Sequence, residues 1–395
     1  MIVAHKIALD PNNIQETSFR QAAGVARLAY KWALDQWQQQ YTAWKDDPTL
    51  PKPSAAALRR QLNSLKRDAF PWMLEVTKNA PQMAIIPLGR AFQNVFGGTG
   101  KYPTFKQKGR HDSFSLTTDQ FTVKGRKGQI PKLGWGRMHE PRRFAGKVLG
   151  GTISRTANRW FLSVTVEIPD PPVVRRENQT VGGGDLGLSA LATLSAGEKM
   201  GGPKAYAAAQ NQLRRLPQHF SRQMAAAKVR AGFVPGQPIP PGMRRPWSQN
   251  MQKTQRRLVR LHARIAHIRA DALHHLTTDL VQRFDVIAIE ELTVAGMLNN
   301  HHLARAIADR GFGEFRRQLK YKAALRNTPV IVVNRWYPSS KTCASCGYKV
   351  SKMPLAVRQW MCPECHTHHD RDINAAINLR HVAESWVGGF QPVPA

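Results

Sequence analysis

Acidic side chains are scarce in this sequence: 26 Asp and Glu stand against 58 Lys and Arg in 395 residues, a formal surplus of +32. Such a surplus repels itself in a compact chain and calls for a polyanion to offset it. Nucleic acid is the polyanion expected, because neutralising phosphates releases counterions and drives binding. A ribosome-type structural protein and a binder of acidic membranes are the plainer alternatives. Long apolar runs are also missing. No stretch of 18 apolar residues occurs, and Met1–Asn13 has neither an apolar core segment nor a small-residue cleavage site. No membrane span and no signal peptide are therefore expected. No internal repeat is present. Cysteine is rare, with four residues in two C-x-x-C pairs. A secreted disulfide protein would spread them, so a reducing cytosol is expected. The hydrophobic fraction of 42% is ordinary and excludes a disordered basic tail. The length suits two or three domains.

Met1–Asp10 alternates apolar and polar residues, which predicts a strand, and Pro11-Asn12-Asn13 predicts a helix start. Apolar spacing predicts helices over Glu16–Trp44, Ala55–Phe70 and Asn79–Phe96, with a Pro-containing linker over Asp46–Ser54. Gly97-Gly98-Thr99-Gly100 ends this helical block. Lys101–Glu167 then holds short alternating segments between Gly and Pro: Ser113–Leu116, Phe121–Val123, Gly151–Ser154 and Trp160–Val166. They predict a small β domain that the first strand can join. Asp170–Gln179 reads as a domain boundary. Beyond it the order is strand, strand, long helix, strand, helix, strand, over Thr180–Asp185, Leu191–Ser195, Gln252–Phe284, Val286–Glu290, Leu303–Leu325 and Val330–Asn334. That order predicts an α/β domain. Gly232–Pro246 reads as a mobile loop, and the residues after Ala383 as a loose tail.

Cys343-x-x-Cys346 and Cys362-x-x-Cys365 are separated by 15 residues. Thiolates favour Zn²⁺ in tetrahedral four-cysteine sites, and four of them leave no open position, so the expected ion is structural. His366, His368 and His369 stand nearby as possible substitutes. Three acidic residues sit where an α/β core presents its strand ends. Asp185 follows the first strand, Glu290 closes the strand Val286–Ile289, and Asp372 lies in Asp370-Arg371-Asp372-Ile373-Asn374 at the start of a helix to about His381. Converging carboxylates hold two hard cations about 3.5–4 Å apart, which polarise a scissile phosphate and generate hydroxide. Each acid taken alone reads equally well as a cap or a turn residue. Lys101, Lys106, Lys108 and Arg110 surround Tyr102 and Phe105. They suit phosphate contact and base stacking, or else a solvated basic loop with the aromatics in a core. Arg256, Arg257, Arg260, Arg264 and Arg269 on the long helix carry the same two readings.

At these residues the sequence resembles TnpB, the RNA-guided nuclease family encoded by bacterial insertion sequences and related to compact type V CRISPR effectors. Asp185-Leu186-Gly187-Leu188 with Leu191–Ser195 resembles the first motif of its RuvC nuclease domain, and Ile287–Leu292 the second. Tyr337–Cys343 onward resembles its zinc ribbon, and Asp370–Leu379 the third RuvC motif. Met1–Asp10 and Lys101–Lys106 resemble its N-terminal half. The resemblance covers nearly the whole chain. It implies a multidomain α/β protein: an RNase H-like RuvC core over 176–340 and 367–384, and a zinc ribbon over 341–366. It further implies a wedge-like β-barrel over 1–12 and 101–175, a helical recognition domain over 13–100 and a flexible tail over 385–395. It assigns catalysis and Mg²⁺ binding, in a two-metal site, to Asp185, Glu290 and Asp372, with Asp370 the fallback for Asp372, and Glu290 preferred over Glu291. Cys343, Cys346, Cys362 and Cys365 would hold zinc. Lys101, Tyr102, Lys106, Lys108 and Arg110 would touch nucleic acid. The implied activity is RNA-guided DNA cleavage beside a short flanking motif, by a monomer on one guide RNA made from its element's end. The implied place is the bacterial cytoplasm, at the nucleoid. An RNA-guided repressor, a transposase acting directly on DNA ends and a small CRISPR effector are the rival readings. Two features depart from the family pattern. Val181-Gly182-Gly183-Gly184 puts three glycines in a buried strand, which is expected to loosen Asp185. The loop Ala231–Pro246 is longer and richer in Pro, as a lid or a guide contact would be.

Overall fold

The N-terminal alternation builds strand β1 (Ile2–Ala8), and Asn12 then starts helix α1 (Asn13–Asp46). Asn12 accepts from the Gln15 backbone N–H at 2.9 Å, and the Gln15 side chain accepts from the Asn12 N–H at 3.2 Å. This reciprocal capping satisfies two amides that a helix start leaves without partners. Helices α2 (Ala55–Leu65) and α3 (Asn79–Phe96) follow, joined by a single 3₁₀ turn over Pro71–Glu75. The helix expected over Ala55–Phe70 thus stops five residues early. Phe70 precedes Pro71, and the proline ring disfavours helical backbone in the residue before it; Phe70 is non-helical at φ −138° and ψ 51°. The computed structural model describes residues 1–172, 179–234, 236–240, 242–354 and 356–387. They form two units, Met1–Pro169 and Asp170 onward.

The remainder of the first unit is antiparallel. Its strands are β2 (Ser113–Thr117), β3 (Thr122–Lys124), β4 (Lys127–Ile130), β5 (Gly134–Arg137), β6 (Lys147–Thr156) and β7 (Arg159–Glu167). One sheet has the order β1-β7-β6-β2 and a second the order β3-β4-β5. The end of β1 meets the smaller sheet's exit through the bridge Leu9–Met138. Ile7, Phe114, Ile153, Leu162 and Val164 form a core with Phe19, Ala29 and Leu34 of α1. The alternation of β7 places Trp160, Leu162, Val164 and Val166 on this inner face. Strands β4 and β5 escape a reading of the sequence because neither four-residue segment carries an apolar alternation of its own.

The second unit is built on a five-stranded mixed sheet, with a separate two-stranded antiparallel sheet. It contains β8 (Val181–Asp185), β9 (Ala192–Leu194), β10 (Lys199–Met200), α4 (Ala205–Ala208), α5 (Gln210–Arg230), α6 (Gln249–Arg283) and β11 (Val286–Glu290). After these come α7 (Val294–Leu298), α8 (Ala304–Arg310), α9 (Phe312–Arg326), β12 (Val330–Val333), β13 (Gln359–Met361), β14 (His368–Asp370) and α10 (Arg371–Val387). The order of the larger sheet is β10-β9-β8-β11-β12. β9 is antiparallel to both of its neighbours β8 and β10, whereas β8, β11 and β12 are parallel. Leu273, Leu276 and Leu280 of α6 pack with Phe315 and Leu319 of α9 on Ile287 and Ile289 of β11. Leu379 and Ala383 of α10 pack with Val286, Ala288 and Val333. The buried strand β11 is therefore covered on both faces, as its unbroken apolar run requires.

Three expectations need correction. The helix expected over Leu303–Leu325 is two helices, α8 and α9, because Gly311 between them adopts φ +70°, a left-handed conformation that favours glycine. Helix α5 has no counterpart among the expected elements. It buries only Ala227 and contains Pro217, so no apolar stripe announces it. Helix α10 continues to Val387, three residues into the segment expected to be a flexible tail; residues 388–395 lie outside the described residues. Part of the expected boundary Asp170–Gln179, residues 173–178, also lies outside them.

Candidate functional site

Strands β8 and β11 run parallel and in register, with Ile289 opposite Gly184. Asp185 and Glu290 are the next residues, so they end neighbouring strands at the same level, about 4.8 Å apart in the hydrogen-bonding direction. From β8 the chain turns to β9 on one side, while β11 lies on the other. Such switch points leave a crevice outside the carboxyl ends of the strands. Asp372 reaches the same place from the first turn of α10. Burial, then the negative charges of Glu290 and Asp372, push the Asp185 carboxyl up to about 7 against the pull of Arg371 and the Leu186 N–H. Burial also raises Glu290. All three acids stay partly open to solvent. A crevice of acceptor oxygens whose charges repel one another is a place for a hard cation.

The glycines before Asp185 tighten this arrangement, contrary to the expectation that they loosen it. A Cβ on Gly183 would stand 1.9 Å from the Ala376 carbonyl oxygen and 2.7 Å from the Arg380 nitrogen. One on Gly182 would stand 2.5 Å from the Phe284 ring. The backbone of α10 therefore lies directly on β8, and only glycine permits that approach. The strand is also held along its edge. Ser195 N donates to Gly183 O at 2.9 Å, and Gly183 N donates to Ser195 Oγ at 3.2 Å.

The structure separates the two candidates in the third motif. Asp370 Oδ1 accepts from the N–H groups of Asp372 and Ile373, both at 3.1 Å, and so caps α10. Its other oxygen pairs with Lys199 at 2.6 Å. Burial opposes ionisation there, but the Lys199 hydrogen bond and the capping amides hold Asp370 below the usual carboxylate range. The Asp372 carboxylate has, among the described residues, only Arg358 as an ion-pair partner, an exposed guanidinium at 3.5 Å. Glu291 directs its N–H to Val333 O.

The four cysteines are unpaired thiols whose sulfurs lie within 4.8 Å of one another. Cys343 Sγ is 3.6 Å from Cys365 Sγ, and Cys346 Sγ is 3.6 Å from Cys362 Sγ. A tetrahedral zinc with bonds of about 2.3 Å spaces its sulfurs by about 3.8 Å, so the donor set is compatible with a structural zinc ion. Each C-x-x-C pair is followed by a left-handed residue, Gly347 at φ +79° and His366 at φ +54°. These turns let Gly347 N donate to Cys343 O and His366 N donate to Cys362 O. His369 is no ligand substitute here: its Nε2 lies 3.0 Å from Cys343 Sγ as an outer partner. Among the described residues the cysteines are the one cluster of three or more His, Cys, Asp or Glu groups this close.

Two basic surfaces flank these centres in the chain. In the first unit Tyr102 and Phe105 are half exposed, at 53% and 47%, not buried in a core. Tyr102 sets its edge on Phe92, and Lys106 lies 4.2 Å over the Tyr30 ring. Lys101, Lys108 and Arg110 are exposed, with no acidic partner among the described residues. In the second unit α5 and α6 enclose a groove of about 500 Å³ lined by Gln212, Arg215, Leu216, Arg257, Arg260, Leu261 and Arg264. None of its four arginines has an acidic partner among the described residues. Sequence reasoning missed the groove with α5, yet a signal was present: no Asp or Glu occurs between Glu198 and Asp271.

Comparison with known proteins adds an independent line. Residues 163–301 match the family OrfB_IS605, "Probable transposase", and residues 312–379 match "Cas12f1-like, TNB domain". Residues 1–46 match a family described as "Helix-turn-helix domain", although here they form one strand and one 34-residue helix. A Streptomyces pristinaespiralis protein named "Putative RNA-guided DNA endonuclease" is 32% identical, across 95% of this chain and 88% of its own length. "Putative RNA-guided DNA endonuclease InsQ" of Escherichia coli K12 is 28% identical, across 95% and 91%. Among solved structures, Cas12f1, described in a complex with guide RNA and target DNA, aligns with 93% of this chain and 83% of its own, with a TM-score of 0.52 at 13% identity. That likeness is one of fold.

Proposed function

Because this chain belongs to the TnpB/IS605 family, we propose that it is an RNA-guided DNA endonuclease that cuts beside a short flanking motif by metal-dependent phosphodiester hydrolysis. The observation that carries this reading is the meeting of Asp185, Glu290 and Asp372 in one electrostatic site at the carboxyl ends of β8 and β11. The mixed sheet, three antiparallel strands continued by two parallel ones, supports an RNase H-like RuvC core. The two sheets and three helices of the first unit support the wedge-like barrel and recognition regions. Asp185, Glu290 and Asp372 would hold divalent cations, with Mg²⁺ the natural choice for a carboxylate set. Such ions, when bound, polarise the scissile phosphate and acidify the attacking water.

The chain's own residues prepare this chemistry. Asp185, whose carboxyl is held up by burial and by the charges of Glu290 and Asp372, would serve such an ion as a ligand once ionised. Lys199 and the α10 amides hold Asp370 as a cap and leave Asp372 to face the site. Arg358 and Arg371 put positive charge at the rim, where a DNA phosphate arrives. The arginine groove of α5 and α6, and Lys101, Lys106, Lys108 and Arg110 beside Tyr102, supply phosphate contacts for guide RNA and double-stranded DNA. Base pairing by the guide supplies sequence selection. A structural zinc in the ribbon and a monomer on one RNA complete the proposal.

The glycine run does not favour an RNA-guided repressor that binds without cutting, since it seats α10 against β8. The test is to purify the protein from cells carrying its flanking DNA, sequence the RNA that accompanies it, and present a matching plasmid library in Mg²⁺. Cuts beside one enriched motif support the proposal. RNA without cuts supports the repressor. Absence of RNA contradicts the guided reading altogether.

A further inference from the structure

Helix α10 is held from two sides, and the second hold ties it to the four-cysteine ribbon. Residues 372, 376 and 380 share one face, four apart. This face lies on β8, where Gly183 meets the backbone of Ala376 and Arg380. Asn374 and Asn378 share another face and are 1% and 3% exposed. Asn378 Nδ2 donates to Ser339 O and Thr342 O, both at 2.7 Å. Asn374 Nδ2 donates to the same two carbonyls, at 3.3 and 2.7 Å. Asn374 Oδ1 accepts from Ala344 N at 2.9 Å. Thr342 and Ala344 are the neighbours of Cys343, so the peptides on both sides of that cysteine are gripped by one helical face. His369 touches the Cys343 sulfur itself, and three residues later comes Asp372.

We propose that Asn374 and Asn378 are positioning residues that make the carboxylate site answer to the state of the ribbon. The inference rests on the reading of Asp372 as a cation ligand and of the cysteines as a zinc site. With the ribbon filled, the Cys343 peptide is fixed, the two asparagines find their carbonyls, and α10 keeps the rotation and height that aim Asp372 at Asp185. With the ribbon empty, that hold is lost. Asp372, in the first turn and with Arg358 as the one ion-pair partner of its carboxylate among the described residues, drifts first. Both asparagines are buried, and an unsatisfied buried amide is costly. Coupling therefore runs through these side chains.

The test uses the full-length protein with its RNA. Mn²⁺ binding is measured by electron paramagnetic resonance, with zinc content measured on the same samples. Wild type, Asn374→Ala/Asn378→Ala and the milder Asn378→Ser are each compared before and after zinc is stripped with a chelator that is then removed. Asp372→Asn identifies the Mn²⁺ that belongs to the carboxylates. Stripping zinc is expected to weaken Mn²⁺ binding about tenfold in wild type, the scale seen when a group that orients a metal ligand is removed. The asparagine variants are expected to hold zinc, bind Mn²⁺ weakly from the start, and change less than about twofold on stripping. Unchanged Mn²⁺ affinity in stripped wild type overturns the proposal. So does an equal loss in wild type and variants, because the coupling then bypasses the asparagines. If wild type shows no Mn²⁺ sensitive to Asp372→Asn, or holds no zinc, the underlying reading of the sites fails and the inference falls with it.

Discussion

At the scale of single residues, Gly183 and Asp185 carry the most consequence. A methyl group on Gly183 has nowhere to go, because its neighbours 1.9 and 2.7 Å away are backbone atoms of α10. Gly183→Ala is expected to cost the second unit about 1–3 kcal/mol, the usual range for overpacking, and to weaken cation binding with it. Thermal unfolding and Mn²⁺ titration check both. Asp185 has its carboxyl raised from 3.8 to about 7. A raised folded-state value means that its contribution to stability is full below its ordinary range and is lost as pH climbs toward 7. In chelated protein Asp185→Asn is therefore expected to raise the melting temperature at pH 8 by about 2–4 °C, the scale of one kcal/mol in a unit this large. At pH 4 it should change little. Added Mg²⁺ should stabilise wild type more at pH 8 than at pH 5, because at the lower pH it must displace a proton. A Mg²⁺ effect that ignores pH would contradict the shared site. In the sequence, Asp185, Glu290 and Asp372 were each legible through their place at strand and helix ends. What a pattern of letters could not carry was the third dimension: Gly183 read as weakness because the helix that needs it lies about 190 residues away.

At the scale of elements, α10 joins the two candidate metal centres. It starts where the ribbon's last strand, β14, ends, so one continuous stretch runs from His369 beside Cys343 to Asp372 beside Asp185. The two neighbouring acids in it have different tasks, and their variants should differ accordingly. Asp370→Ala removes a cap and an ion pair, and is expected to cost about 1 kcal/mol while Mn²⁺ still binds. Asp372→Ala is expected to leave stability nearly unchanged and abolish that binding. The reverse pattern in unfolding and Mn²⁺ titration would exchange their roles. The sequence suggested both as caps, and only the hydrogen bonds to Asp370 decide between them. Long periodic helices such as α1 and α6 were legible, as was the apolar strand β11. The helix α5 was not, because an element that buries one alanine leaves no periodic trace. The division of α8 from α9 was hidden for a related reason: a single left-handed glycine breaks a helix without breaking its apolar spacing.

At the scale of the whole molecule, the charge of +32 includes clusters of Lys and Arg that lack acidic partners among the described residues. The groove between α5 and α6 presents Arg257, Arg260 and Arg264 along one helix, with rises of about 4.5 and 6 Å between them and Arg215 opposite. Replacing Arg257, Arg260 and Arg264 by Glu is expected to weaken RNA binding and flatten its salt dependence by about one unit of slope for each phosphate left unneutralised. A filter-binding series across salt concentrations checks this, and an unchanged slope would remove the groove from the nucleic-acid surface. Cys343→Ser is expected to release zinc and lower the melting temperature of the second unit, since structural zinc contributes folding free energy. The central claim, that the three carboxylates cut DNA under RNA guidance, is tested most directly by one plasmid experiment. Wild-type and Asp185→Asn complexes, loaded with the same guide, are incubated with a matching plasmid in Mg²⁺, with and without prior ribonuclease treatment. Wild type should cut only with intact RNA, and Asp185→Asn should bind the plasmid without cutting it. Cleavage by Asp185→Asn, or cleavage by wild type that survives loss of the RNA, would contradict it.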